Sequence, residues 1–284
     1  MIKTGIMSTA YFGISDYEQG IKKLKSHGYD CVDYRAIESP FSELFSYSET
    51  QFDSYFKALG QCAREEGVEI VQIHGLWPRY ADGDLSGVDK DMEFYLKEMR
   101  AMECMGSKRF VLHPCLPYGW GEEAIKEKAF EETVKTVGRL LPYAKQSGIM
   151  ICVENLPVKK GHSFSSIQEL KKLIRTINDG NVKACFDTGH NYCTGEDVYE
   201  SIMLLGEDLE ALHVHDAMCG QDRHLIPFHG EIEWDKFIKG LNDIRYQGCL
   251  SLETEISLKM PEEIREKMQK ALAELARWFA SQIK

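Results

Sequence analysis

The stretch Leu212 to Trp234, LHVHDAMCGQDRHLIPFHGEIEW, decides how the rest of the chain is read. It opens as a short apolar strand carrying His213, His215 and Asp216, runs through a polar turn with Asp222, Arg223 and His224, and closes at His229. Four of the nine histidines fall here. A fold gains little by clustering groups that are costly to desolvate, so this density points to a divalent-metal site or to acid/base chemistry. A solvated polar loop is the plain alternative, and the flanking chain discriminates between them.

Outward from that stretch, short apolar runs alternate with longer amphipathic, charged segments. The candidate strands are Ile2 to Met7, Asp30 to Arg35, Val68 to His74, Arg109 to His113, Ile149 to Glu154, Val182 to Asp187, Leu209 to His213 and Cys249 to Glu253. Helices are expected over Tyr17 to His27, Thr50 to Glu66, Asp89 to Met105, Glu122 to Gln146, Ser166 to Ile177, Asp197 to Leu205, Trp234 to Ile244 and Pro261 to Ile283. Regular βα alternation implies a parallel sheet. Eight such units in 284 residues predict a single α/β domain over 1–284, a closed (β/α)8 TIM barrel. Gly28, Gly67, Gly106, Gly148, Gly180 and Gly248 precede strands and read as left-handed helix caps.

Six strands end in a residue type that binds metal: His74, His113, Glu154, Asp187, His213 and Glu253. Before each stands a large apolar residue: Ile73, Leu112, Val153, Phe186, Leu212 and Leu252. Neighbours on a strand face opposite ways, so the apolar set packs on the helices only if the polar set enters the barrel mouth. Active sites of this fold lie at that end of the strands. Carboxylates mixed with imidazoles suit Zn²⁺ or Mn²⁺, with Mg²⁺ or Co²⁺ as alternatives, better than Ca²⁺. The absence of cysteine ligands argues against a structural zinc.

Composition narrows the function classes. A formal net charge of -11 disfavours nucleic acid as a partner. No apolar run is long enough to span a bilayer. Nine cysteines with no C-x-x-C pair argue against a disulfide framework, and Cys31, Cys152, Cys185 and Cys249 read as small hydrophobes inside strands. A reducing, cytoplasmic location is expected, and homo-oligomerisation is left open. Asp33 and Arg35 read as a substrate contact or a rim salt bridge, Trp77 and Trp120 as loop aromatics, and His27 and His162 as surface residues.

Taken together, V-E-N at Glu154, C-F-D-T-G-H at Asp187 and His190, L-H-V-H-D at His213, D-R-H-L-x-P with H-G-E-I-E-W, and L-E-T-E at Glu253 resemble the xylose isomerase-like barrel superfamily. That group includes sugar-phosphate isomerases and epimerases, ketose 3-epimerases, inosose-processing enzymes and the endonuclease IV type. The resemblance implies one divalent metal on Glu154, Asp187, His213 and Glu253, with Glu154 and Glu253 as acid and base. It also implies a small carbohydrate substrate contacted by His74, His113, His190, His215, Asp222, Arg223 and His224. The endonuclease branch holds three zinc ions, and His74, His113, His190, Asp222 and His224 match its further ligands. His215 departs from the lysine or other polar residue expected there. The resemblance therefore implies a metal-dependent sugar isomerase or epimerase, with a zinc-dependent abasic-site endonuclease and a non-catalytic sugar- or metal-binding barrel as rivals.

Overall fold

A computed structural model of the protein describes residues 2–35, 42–77, 86–114, 126–157, 164–254, 256–257 and 259–284. Eight parallel strands form the inner wall: β1 (Lys3–Met7), β2 (Cys31–Tyr34), β3 (Glu69–His74), β4 (Arg109–Leu112), β5 (Met150–Glu154), β6 (Val182–Asp187), β7 (Leu209–His213) and, after a hairpin, β10 (Cys249–Leu252). They are hydrogen-bonded in the order β10-β1-β2-β3-β4-β5-β6-β7. The remaining seam is closed just above β7, where the Val214 N–H donates to Ser251 O at 2.8 Å and Val214 O accepts from the Glu253 N–H at 3.0 Å. The (β/α)8 expectation is met.

The helices are α1 (Tyr17–His27), α2 (Glu49–Glu65), α3 (Ser86–Met105), α4 (Lys126–Ser147), α5 (Ile167–Ile177), α6 (Thr188–Thr194), α7 (Val198–Leu205), α8 (Trp234–Asp243) and α9 (Glu262–Gln282). Local chemistry sets their ends. Ser48 and Gln51 form a reciprocal capping box at the start of α2, and Ser166 accepts from the Glu169 N–H at the start of α5. The left-handed caps expected at Gly28, Gly67, Gly106 and Gly148 are present. Those at Gly180 and Gly248 are not, because the chain turns earlier, at Asn178 (φ 50°) and Arg245 (φ 56°). Asparagine tolerates that region through its short polar side chain. Arginine there is a departure that the sequence pattern does not announce.

Strand parity works as expected. Ile73, Leu112, Val153, Phe186, Leu212 and Leu252 join the main core between sheet and helices. Val111, Cys152, Cys185 and Ala211 form a separate interior layer, and Cys31, Val71 and Cys249 another. Because Cys31 and Cys249 open their strands, their layer lies at the base, opposite the mouth. Among the described residues no helix is long and apolar enough to cross a membrane.

The polar turn expected around Asp222 is instead a β-hairpin of β8 (Asp216–Met218) and β9 (Gln221–Leu225). Its two central residues, Cys219 (φ 54°) and Gly220 (φ 64°), both take positive φ, the conformation whose twist suits a two-residue hairpin. Asp216 anchors the segment behind it. Its carboxylate accepts from the Gly230 N–H (3.0 Å), the Ile232 N–H (3.2 Å) and Trp234 Nε1 (3.1 Å). The hairpin therefore stands over the mouth as a fixed element.

Candidate active site

All six strand-end residues are buried at the mouth, between 0% and 4% exposed. His74, Glu154, Asp187 and His213 are the last residues of β3, β5, β6 and β7, while His113 and Glu253 follow β4 and β10 by one position. Glu154, Asp187, His213 and Glu253 each offer a ligand atom, and these atoms lie within 4.8 Å of one another. His74, His113 and Glu154 form a second such group, and Asp33, His74 and His213 a third. The His74 and His213 rings stack with centroids 4.7 Å apart and planes 3° from parallel.

The hairpin contributes a further group. Alternation along β9 turns Asp222 and His224 inward, where they meet His190 of α6 and His215, again with ligand atoms within 4.8 Å. Asp222 Oδ2 lies 3.3 Å from His190 Nε2 and 3.4 Å from His224 Nε2. His215 stacks on His224 at 4.2 Å and brings Nε2 to 2.9 Å from Asp187 Oδ2. Asn155 braces the same corner, with its side-chain amide donating to Asp187 O and its backbone carbonyl 2.8 Å from His190 Nδ1.

This crowding has an electrostatic signature. Burial opposes charge on Glu154 and Glu253, yet the adjacent His213 and other imidazoles hold both carboxyls well below the usual range. Burial opposes charge on His190 too, but Asp187, Asp222 and Glu154 push it up to about 9. His224 is raised to about 10, with Asp222 and Glu253 outweighing its burial. Burial holds His74 well below its usual value, in the neutral form that binds metals.

A cation fits this donor set. His213 Nδ1 faces two carboxylate oxygens, Glu154 Oε1 at 3.0 Å and Glu253 Oε2 at 2.9 Å, and one N–H cannot serve both. Glu154 Oε2, Glu253 Oε2, His74 Nδ1 and Asp222 Oδ1 are buried with no hydrogen bond. Orphaned buried acceptors are costly, and a divalent ion at their centre would satisfy them.

The other sequence candidates separate. Arg223 lies on the outward face of β9, exposed and bonded to Gln221, apart from the groups that Asp222 and His224 join. His215 is fully buried against Asp187, a placement suited to positioning that carboxylate. Arg35 forms a salt bridge with Glu253, Nη1 to Oε1 3.3 Å. Asp33, expected from the sequence as a substrate contact or a rim salt bridge, is buried below the rim and bonds His213 Nε2 at 3.1 Å. Trp77 packs on His113 with centroids 4.6 Å apart. His27 is not a surface residue: it is buried, with Nδ1 2.7 Å from Tyr11 Oη. Trp120 and His162 lie outside the described residues.

Comparison with known proteins agrees with this fold. The profile of the xylose isomerase-like TIM barrel family matches residues 21–281. A D-psicose 3-epimerase of Ruminiclostridium cellulolyticum is 24% identical over 246 residues, covering 84% of this chain and 78% of that protein. A probable endonuclease 4 of Mycoplasmoides gallisepticum is 25% identical over 171 residues, covering 56% of this chain and 55% of that one. Among solved structures, D-psicose 3-epimerase with D-tagatose from Clostridium cellulolyticum superposes with a TM-score of 0.80 at 20% identity, over 98% of this chain and 99% of that one.

Proposed function

The chain belongs to the xylose isomerase-like TIM barrel family, and on that premise we propose that it is a divalent-metal-dependent isomerase or epimerase of a small sugar, sugar phosphate or inosose-like ketone. The observation that carries this reading is the convergence of Glu154 and Glu253, two buried carboxylates from β5 and the end of β10, with Asp187 and His213. The D-psicose 3-epimerase match, which spans most of both chains, supports the same chemistry.

Glu154, Asp187, His213 and Glu253 would hold the ion, Mn²⁺ or Zn²⁺ by the mix of oxygen and nitrogen donors. When bound, it supplies Lewis-acid stabilisation of the negative charge that develops on a substrate carbonyl oxygen as the neighbouring carbon loses its proton. Glu154 and Glu253 come from separate strands and keep an unbonded oxygen each, so one, as a carboxylate, can take a proton from that carbon while the other, once protonated from solvent, delivers a proton to carbon. Return to the same carbon from the opposite face yields an epimer. Return to the neighbouring carbon yields an isomer. His74, His113, His190 and His224 line the mouth with ring nitrogens for sugar hydroxyls, and Trp77 beside His113 offers an apolar wall for the C–H face.

A second reading, metal-dependent phosphodiester hydrolysis at abasic DNA, draws on one specific observation. The His190, His215, Asp222 and His224 group and the His74, His113 and Glu154 group each bring ligand atoms as close together as the central four do. The net charge of -11 weighs against a DNA partner. Incubating the Mn²⁺- or Zn²⁺-loaded protein with ketoses, sugar phosphates and inososes, followed by chromatography, separates the two. Conversion of any panel member supports the first reading. No conversion, together with nicking of an abasic duplex at low salt, replaces it with the second.

A further inference from the structure

At the base of the barrel, remote from the mouth, Cys31 and Cys249 open β2 and β10, the strands on either side of β1. Both side chains turn inward beside Val71, and their Sγ atoms lie 2.6 Å apart. The approach depends on Gly5 of the intervening strand. A Cβ there would stand 2.9 Å from Cys31 Sγ and 3.1 Å from Cys249 Sγ, in the space where the sulfurs meet. Thiolates sharing a tetrahedral zinc ion, each at about 2.3 Å, sit roughly 3.8 Å from one another, so this spacing does not describe half of a metal site. A bonded sulfur pair is at about 2.0 Å, closer than the two sulfurs stand, so forming the bond must draw β2 and β10 together across β1.

We propose that Cys31 and Cys249 are a modification site: a dithiol that a small disulfide oxidises to an intramolecular cystine across the base of the barrel. Cys249, at 3% exposure against 0% for Cys31, attacks the reagent first and releases one equivalent of reagent thiol. Cys31 then displaces the second reagent thiol from the mixed disulfide, forming the Cys31–Cys249 bond. Two protein thiols lose two electrons and two protons, and the reagent disulfide becomes two thiols. Burial, and then the neighbouring Cys249, pushes the Cys31 thiol well above its ordinary pKa, so the exchange is slow. The bond would tie together the inward rows that carry Asp33, two residues beyond Cys31, and Glu253, four beyond Cys249.

The test is prolonged incubation of the full chain with hydroxyethyl disulfide, then alkylation of the denatured protein and non-reducing peptide mapping. The expected result is a cross-linked pair of peptides containing Cys31 and Cys249, absent after reduction and absent in Cys31→Ser. In Gly5→Ala that remains folded by circular dichroism, the cross-link should be lost. Uptake of alkylating reagent by both Cys31 and Cys249 after oxidation, or linkage of either to a different cysteine, overturns the proposal. If Gly5→Ala does not fold, the wild-type and Cys31→Ser maps decide the matter.

Discussion

Asp33 Oδ2 lies 3.1 Å from Nε2 of His213, and both side chains are sealed from solvent. Gln72 donates to the same Asp33 oxygen at 2.9 Å, fixing the carboxylate in turn. A carboxylate on Nε2 favours the proton there and leaves the Nδ1 lone pair directed between Glu154 and Glu253, where a metal would sit. Asp33→Asn replaces an acceptor by an amide that can donate, and so favours the other tautomer. Divalent-metal affinity, measured by titration calorimetry, should fall by about 10–100-fold. Unchanged affinity would remove Asp33 from the account.

Gly189, in the first turn of α6, makes room for His215. A Cβ at Gly189 would fall 2.0 Å from His215 Cε1 and 2.6 Å from its Nδ1. Gly189→Ala must therefore push the imidazole away from Asp187, with an overpacking cost of about 1–3 kcal/mol. The variant should fold by circular dichroism, unfold at a lower temperature, and retain less metal after gel filtration than the parent. Metal content equal to the parent's would mean that His215 does not position Asp187.

His27 supplies a pH prediction away from the mouth. Burial lowers its pKa first, then Lys270 and Lys23, with Glu266 opposing them. In the unfolded chain the imidazole takes its proton near pH 6.5, roughly its unperturbed value, whereas in the fold it does so only at lower pH. The unfolded state thus binds more protons in that window, and the contribution of neutral His27 is full above it and lost as pH falls. The drop in Tm between about pH 7 and about pH 5 should be smaller in His27→Gln than in the parent. An equal drop would assign the acid sensitivity elsewhere.

The parity argument that located Glu154, Asp187, His213 and Glu253 needs only the alternation of strand side chains, so the barrel and its ring of polar ends were legible from composition and spacing. Asp33 carried the same signal, flanked by Val32 and Tyr34 in an apolar strand, but Arg35 beside it suggested a rim pair. Three-dimensional register decides the matter: Asp33 of β2 pairs with Gln72 of β3, one layer below the strand-end ring. The hairpin was hidden for a different reason. Its strand QDRHL is polar because one face meets solvent and the other meets the site, so it lacks the apolar alternation by which strands are recognised. His27 was hidden because its partner, Tyr11, comes from a loop that the helical pattern does not mention.

Removal of metal should lower stability, because Glu154, Asp187, Glu253 and Asp222 are then compensated only by the neighbouring imidazoles and, at Glu253, by Arg35. A ligand at about a hundred times its dissociation constant stabilises by about 2.7 kcal/mol. Chelator-treated protein should accordingly unfold at a Tm several degrees lower, and added Mn²⁺ or Zn²⁺ should restore it. A Tm indifferent to chelator and to both ions would contradict a resident metal. In the same preparations, Glu154→Gln and Asp187→Asn should reduce metal content.

The central claim is that Glu154 and Glu253 move a proton on and off carbon, and hydrogen exchange at carbon reports that step whether the product is an epimer or an isomer. The decisive measurement is NMR of the metal-loaded protein incubated with the ketose, sugar-phosphate and inosose panel in deuterated water. The account predicts deuterium at the carbon adjacent to the carbonyl of at least one panel member, with the exchange abolished in Glu154→Gln and in Glu253→Gln. Product formation with no deuterium incorporation, or exchange that persists in both variants, would contradict it.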